Sequence, residues 1–269
     1  MRCPTQAVLP IAMAATFGAT ATLAAEDPAV RKSEEQLAAE LANPLAPITT
    51  FVTQFRSKFD NGPDGATNYQ LRLQPSFFKP LQGGSALLVR SIVPLRKQNW
   101  PSGDGGLGDI SVLPYYVPDI RSSTFVGYGL ALSLPTATEP SLGTGKWSAG
   151  PAVLFAQTGQ PITWGGLAQQ LWSFAGQDSR ASVNVTTLQP FLTYLLGGGW
   201  SATVTSESSY NWNGAAGQRW VVPLAVSTSK VVDIGGHFLN LGLAYVHYVE
   251  TPQFATQSEL RLTATYVFK

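Results

Sequence analysis

The sequence predicts an all-β protein, an antiparallel transmembrane β-barrel of about twelve strands preceded by one short helix. Three observations carry that expectation. Charged residues are only 12% of the 269, about half the ~25% usual in soluble domains, while hydrophobic residues reach 44%. No long apolar run follows the first 25 residues, so the low charge is not that of a helical membrane protein. From Ile48 onward, short segments with period-2 alternation are punctuated by proline and glycine.

Residues 1–25, MRCPTQAVLPIAMAATFGATATLAA, join one basic residue, Arg2, to an apolar stretch and to small residues ahead of Glu26 and Asp27. They read as a secretory signal peptide cleaved after Ala24 or Ala25, with an alternative A-x-A site ending at Ala21; a membrane anchor is the competing reading. Its removal takes away Arg2 alone of the 17 basic side chains, leaving sixteen against 16 acidic ones and a formal charge of zero. A neutral chain offers no electrostatic case for nucleic acid as a partner. The only cysteine, Cys3, lies in the same segment, so the mature chain has no disulfide, thiol nucleophile or cysteine metal site. Residues 26–47 form a periplasmic or plug segment. Within KSEEQLAAELANPLAP, Ser33 with Gln36 makes a capping box and Asn43-Pro44 a stop, which predicts a helix over Ser33 to Asn43.

Residues 48–269 carry the barrel. In NYQLRLQPSF, Asn68, Gln70, Arg72, Gln74 and Ser76 alternate with Tyr69, Leu71, Leu73, Pro75 and Phe77. TFVGYGLALSL sets Val126, Tyr128, Leu130, Leu132 and Leu134 against the smaller Gly127, Gly129, Ala131 and Ser133, and SELRLTATYVF sets Leu260, Leu262, Ala264, Tyr266 and Phe268 against Glu259, Arg261, Thr263 and Thr265. ITWGGLAQQLW alternates poorly. Segments at 48–60, 67–81, 85–98, 108–118, 124–138, 148–158, 162–175, 181–196, 199–213, 219–233, 237–250 and 258–269 make twelve, an even number with room for spanning strands of about 9–11 residues or more. Connections such as NGPDGA, NWPSGDGGLG and EPSLGTGKW alternate with shorter ones such as QGG and TGQP. With both termini in the periplasm, the first set faces the cell exterior. All seven tryptophans, Trp100, Trp147, Trp164, Trp172, Trp200, Trp212 and Trp220, fall near predicted strand ends, where interfacial girdles form.

Two glycine patterns suggest nucleotide sites and fail on context. GDGGLG at residues 103–108 fits G-x-G-x-x-G, but Pro114 and Pro118 forbid the helix that should follow, and no acidic residue stands near Tyr128. GTGKW has Pro140 where a phosphate loop needs glycine and Trp147 where it needs serine or threonine. His237 and His247 lie ten residues apart on one predicted strand, too far to share a metal. No cofactor is called for.

The charges within predicted strands carry more. Arg56, Lys58, Arg72, Arg90, Arg96, Arg219 and Arg261 must avoid lipid, where each would cost ~2–4 kcal/mol at mid-depth. They are expected to line the lumen with Gln74 and Glu259, with Asp60, Glu207 and Glu259 as the main acidic partners. They would either attract anions or brace the wall through ion pairs.

Certain words in the chain also carry a resemblance. GLGDI at 106–110, LPTAT at 134–138, LGTGKWSAGP at 142–151, LWSFAG at 171–176 and LQPF at 188–191 resemble the bacterial outer-membrane family labelled "MetA-pathway of phenol degradation". Its members are catalogued as transporters and some carry the mistaken name neuromedin U. The resemblance runs from about Asn43 to Lys269, and the C-terminal aromatic usual in such barrels is here penultimate, Phe268 before Lys269. It implies a β-barrel in contact with outer-membrane lipid that takes up small, including aromatic, molecules; it supplies no binding or catalytic residues. The expected function is therefore an outer-membrane channel or transporter for passive passage of small solutes, aromatic or anionic among them, and not an enzyme. The alternatives are a membrane-embedded lipid hydrolase with His247 as general base, a non-conducting structural or binding barrel, and an exported soluble β-sandwich.

Overall fold

The computed structural model describes residues 33–43, 46 and 48–268; the signal peptide expected at 1–25 lies outside the described residues, as do 26–32. Helix α1 spans Glu34–Leu41 with Ser33 as its N-cap. Ser33 Oγ accepts from the Gln36 amide at 3.2 Å and the Gln36 side chain accepts from the Ser33 amide at 2.9 Å, so both arms of the expected capping box form.

Fourteen strands follow: β1 (Thr50–Asn61), β2 (Ala66–Pro80), β3 (Ala86–Lys97), β4 (Gly105–Leu107), β5 (Ile110–Val117), β6 (Thr124–Leu134), β7 (Lys146–Gln157), β8 (Ile162–Gly176), β9 (Asn184–Gly197), β10 (Trp200–Ser206), β11 (Ser208–Asn211), β12 (Trp220–Ile234), β13 (His237–Glu250) and β14 (Ser258–Val267). All pair antiparallel, and the sheet closes on itself because β14 pairs with both β13 and β1. β4 with β5, and β10 with β11, each make one wall position, giving the closed barrel of twelve strands that the alternation predicts. Closure leaves no sheet edge whose backbone lipid would strand without partners.

The two interruptions have different causes. Between β4 and β5 the register slips: Leu107 faces Leu95 while Ser111 faces Ile92, so four steps on one strand meet three on the other. That is a β-bulge. Between β10 and β11 the register holds, with Thr205 facing Phe191 and Ser208 facing Leu188 on one side, Ser206 facing Leu224 and Ser209 facing Val221 on the other. The same register sets Pro190 and Pro223 beside the gap, and neither has an N–H for the ladder. The gap residue is Glu207.

The connections 81–85, 118–123, 158–161, 198–199 and 235–236 gather at one rim, and 62–65, 98–104, 135–145, 177–183, 212–219 and 251–257 at the other. The two are called below the short-turn and long-loop rims. Between them the outer face is an apolar band that includes Phe55, Tyr128, Leu130, Leu243, Tyr245 and Leu262, all exposed. Water would penalise such a contiguous band, whereas lipid favours it. Trp164 and Trp200 stand exposed near the short-turn rim, and Trp147, Trp172, Trp212 and Trp220 near the long-loop rim. Trp100 departs from the girdle pattern: it packs over Gly62 and lies 6.4 Å, ring to ring, from Phe254, tying three loops together.

The GDGGLG stretch belongs to the β4–β5 bulge. Gly103 has φ +75, the left-handed region that suits glycine in a turn, and a Cβ on Gly106 would strike the Thr138 hydroxyl. The neighbouring words close around it. Thr138 donates its amide to Leu107 O at 3.0 Å, and Thr136 Oγ1 accepts from the Ile110 amide at 2.9 Å. Asp109 accepts from the Thr144 amide at 2.6 Å, and Arg180 reaches from the β8–β9 loop to Thr144 O at 3.1 Å. GLGDI, LPTAT and LGTGKW thus form one hydrogen-bonded node at the long-loop rim.

At the opposite rim α1 sits inside the barrel mouth. Leu37 and Ala38 pack against Val231, Phe238 and Val267, with Leu41, Ile48 and Leu195 around them. Glu34 accepts the Asp233 amide at 3.0 Å, fixing the helix start to the end of β12.

Candidate functional site in the barrel lumen

The inward faces divide by chemistry. On β3 and β5–β7 the lumen side carries Leu88, Leu113, Tyr115, Val117, Phe125, Ala131 and Leu154, all buried against one another. Ile92, Leu167, Leu171 and Phe191 extend this apolar wall.

The other half is charged. The β1–β14 register sets Arg56 opposite Arg261 and Lys58 opposite Glu259. Two like charges facing each other are unfavourable, and Glu259 offsets them. It takes a two-pronged contact from Arg56, with Nη2 to Oε2 at 2.9 Å, accepts from Arg261 Nε, and accepts the Tyr248 hydroxyl at 2.9 Å. Arg56 is 3% exposed and Glu259 0%. A carboxylate that deep is tolerated because its oxygens are filled by charged and hydroxyl donors.

Glu207 reaches the same cluster from another wall. β10–β11 is separated from β1 by β12, β13 and β14, yet the Glu207 carboxylate lies 3.2 Å from Arg72 Nη1 and 3.5 Å from both Arg56 Nη1 and Arg261 Nη1. It therefore crosses the bore. Arg90 from β3 donates to Gln74 Oε1 at 2.8 Å on β2. Two donors in this buried setting, Arg72 Nε and Arg261 Nη2, have no acceptor among the described residues.

This crossbar separates two cavities. The inner one, about 320 Å³, runs from Leu41, Asn43 and Ala46 to Arg261; the outer one, about 250 Å³, runs from Arg72 to Arg96 and Asp109. Arg90, Gln189 and Glu207 border both. A third space, about 360 Å³, lies beside α1 between Ala39, Phe125 and Gly159 and shares Asn43 and Ala46 with the inner cavity.

Of the residues expected in the lumen, Arg56, Arg72, Gln74, Arg90, Glu259 and Arg261 come together, and Lys58 stands beside them by its register with Glu259. Arg96 lines the outer cavity but spends a guanidinium arm on Leu142 O at 3.0 Å, latching the β6–β7 loop. Arg219 is elsewhere. It precedes β12, is exposed, and clamps its own loop through Gly214 O at 2.8 Å and the Tyr210 hydroxyl at 3.1 Å. The strand begins one residue later than its polar–apolar pattern suggests. Asp60 also stands apart, exposed at the long-loop rim, where it accepts from Ser258 Oγ at 3.4 Å. Tyr248 and Gln189 escaped sequence reasoning; the alternation of β13 and β9 puts both inward, but nothing in it marks Tyr248 as a partner of Glu259 or Gln189 as lining both cavities.

His237 and His247 are both exposed. His237 pairs its ring with the Tyr266 hydroxyl at 2.8 Å, and Ser258, the cross-strand neighbour of His247, gives its hydroxyl to Asp60. That arrangement does not assemble the serine–histidine pair a hydrolase needs.

No family model matches the chain, and no curated protein matches it. Among solved structures it is similar to the COG4313 outer membrane channel from Pseudomonas putida F1, at 14% identity and TM-score 0.64 over 84% of this chain and 98% of that one. It is also similar to the NanC porin, at 13% identity and TM-score 0.56 over 82% of this chain and 99% of that one. The KdgM porin in complex with disordered oligogalacturonate follows, at 12% identity and TM-score 0.50 with the same coverage. At these identities the likeness establishes the fold, a barrel of the outer-membrane type.

Proposed function

We propose that the protein is an outer-membrane channel for passive passage of small solutes, with anions favoured. The observation that carries this reading is the lumen: cavities in series between the two rims, lined by Arg72, Arg90, Arg96 and Arg261 against Asp109 and Glu207, with Arg56, Lys58 and Glu259 in the same cluster, six cations against three carboxylates in all. Three formal positive charges are left to attract anions in a low-dielectric bore. The long-loop rim faces the cell exterior, and α1 is the plug, narrowing the periplasmic mouth. The rim node built from GLGDI, LPTAT and LGTGKW supports membership of the phenol-degradation-labelled transporter family, and the apolar wall suits aromatic solutes.

Planar-bilayer recording of the refolded mature chain tests this. The full chain is expected to conduct weakly and the chain lacking residues 26–47 to conduct more, with anions preferred over cations. Arg72→Glu with Arg90→Glu is expected to shift the preference toward cations. Absence of conductance both with and without residues 26–47 would sink the channel reading.

A further inference from the structure

We infer that Glu207 is a built-in occupant of an anion-binding site formed by Arg72, Arg56 and Arg261, and that the site's ligand is a small carboxylate with an apolar body. The inference rests on the reading of the lumen as a solute path.

The cluster has two carboxylates with different footing. Glu259 is on the same wall as its arginines, fully buried, and holds four donor atoms. Glu207 comes from across the bore, and its closest contact is Arg72 at 3.2 Å. Withdrawal of Glu207 leaves Arg56 and Arg261 still paired to Glu259, so the one guanidinium that loses its carboxylate is Arg72. Arg72 Nε and Arg261 Nη2 already lack acceptors among the described residues, so the cluster offers more donors than the oxygens there fill. An incoming carboxylate could take over the Glu207 contacts and these free donors together. Exchange of one carboxylate for another keeps the charge of the site constant; a neutral or cationic solute cannot make that exchange.

The apolar half of the ligand follows from the same cavity. The outer chamber is lined by Arg72, Arg90, Arg96 and Asp109 and, among them, by the apolar Ile92, Leu113 and Leu167. Its volume of about 250 Å³ falls below the ~300–1,000 Å³ typical of drug-sized ligands, which suits a single ring or short aliphatic chain. The backbone gap beside Pro190 and Pro223 places Glu207 where no ladder bonds hold it on either side, so its retreat breaks no sheet pairing. The crossbar then opens as the ligand binds.

Calorimetric titration of the refolded mature protein in detergent tests the site, with benzoate as probe and benzyl alcohol as neutral control. An occupant that fills the site most of the time lowers apparent affinity by the free fraction, so Glu207→Gln is expected to tighten benzoate binding about tenfold or more. Arg72→Gln is expected to weaken it by a similar factor, and neither change should move benzyl alcohol. Glu207→Asp, one methylene shorter but still charged, should tighten benzoate to a lesser degree and serves if the glutamine variant fails to fold. Unchanged or weaker benzoate binding in the Glu207 variant that folds, or benzyl alcohol binding as well as benzoate, would overturn the inference. The two readings separate cleanly. Tightened benzoate binding without conductance removes the channel and keeps the site, whereas conductance without tightening removes the site and keeps the channel.

Discussion

The two halves of the barrel interior solve the same problem by opposite means. The β5–β7 side fills its share of the bore with mostly apolar side chains that need only contact, as Leu113 and Leu154 show by being buried among apolar neighbours. The β14–β1–β2 side leaves space and fills it with charge, so its stability depends on each group finding its counterpart. The apolar side tolerates small losses by degrees; the charged side fails when one partner is removed. A solute path belongs where the two meet, since the outer chamber is lined both by Arg72, Arg90 and Arg96 and by Ile92, Leu113 and Leu167.

Glu259→Ala should break the comparison most severely. It strands Arg56 and Arg261 in a buried setting, at a cost of about 3–5 kcal/mol, and urea unfolding of the liposome-reconstituted barrel would register the loss. Leu154→Ala tests the apolar wall, with an expected loss of about 2–5 kcal/mol in the same measurement and ion selectivity left as it was. A change of selectivity in that variant would mean that the apolar wall is also part of the ion path. Arg219→Ala should do least, within about 0.5 kcal/mol and without effect on selectivity, since the side chain braces an exposed loop. A selectivity shift there would return Arg219 to the lumen.

Much of the fold was legible because a wall with lipid on one side and a lumen on the other imposes period 2 on every strand. TFVGYGLALSL displayed it plainly: Tyr128 and Leu130 are exposed on the outside, and the small residues between them face inward. What the pattern did not reveal was why they are small. A Cβ on Gly129 would run into Pro114 O and the Tyr115 ring, so the β6 inner face is cut away to seat a neighbour's aromatic. ITWGGLAQQLW alternated poorly for a related reason, since a Cβ on Gly165 would collide with the backbone of Phe155 and Ala156. The inward charges were legible one by one from the cost of placing them in lipid. Their grouping was not, because Arg56 meets Glu259 across 203 positions of sequence and Glu207 meets Arg72 across 135. Arg219 misled because a loop that folds back beside a strand continues the strand's polarity.

The buried charge cluster also bears on how the chain closes. Arg56 arrives on the first strand and Glu259 with Arg261 on the last, so the deepest ion pair straddles the seam where the ring is completed. Until those strands meet, both partners keep their water; once they meet, only one alignment spares them. A slip of one residue along the seam would turn Arg56 into lipid and leave Glu259 buried without its main counterpart. Hydrophobic strands alone could zip up in several offsets, and this pair acts as a tooth that admits one. The same residues that shape the bore thereby fix the register at which the first strand meets the last.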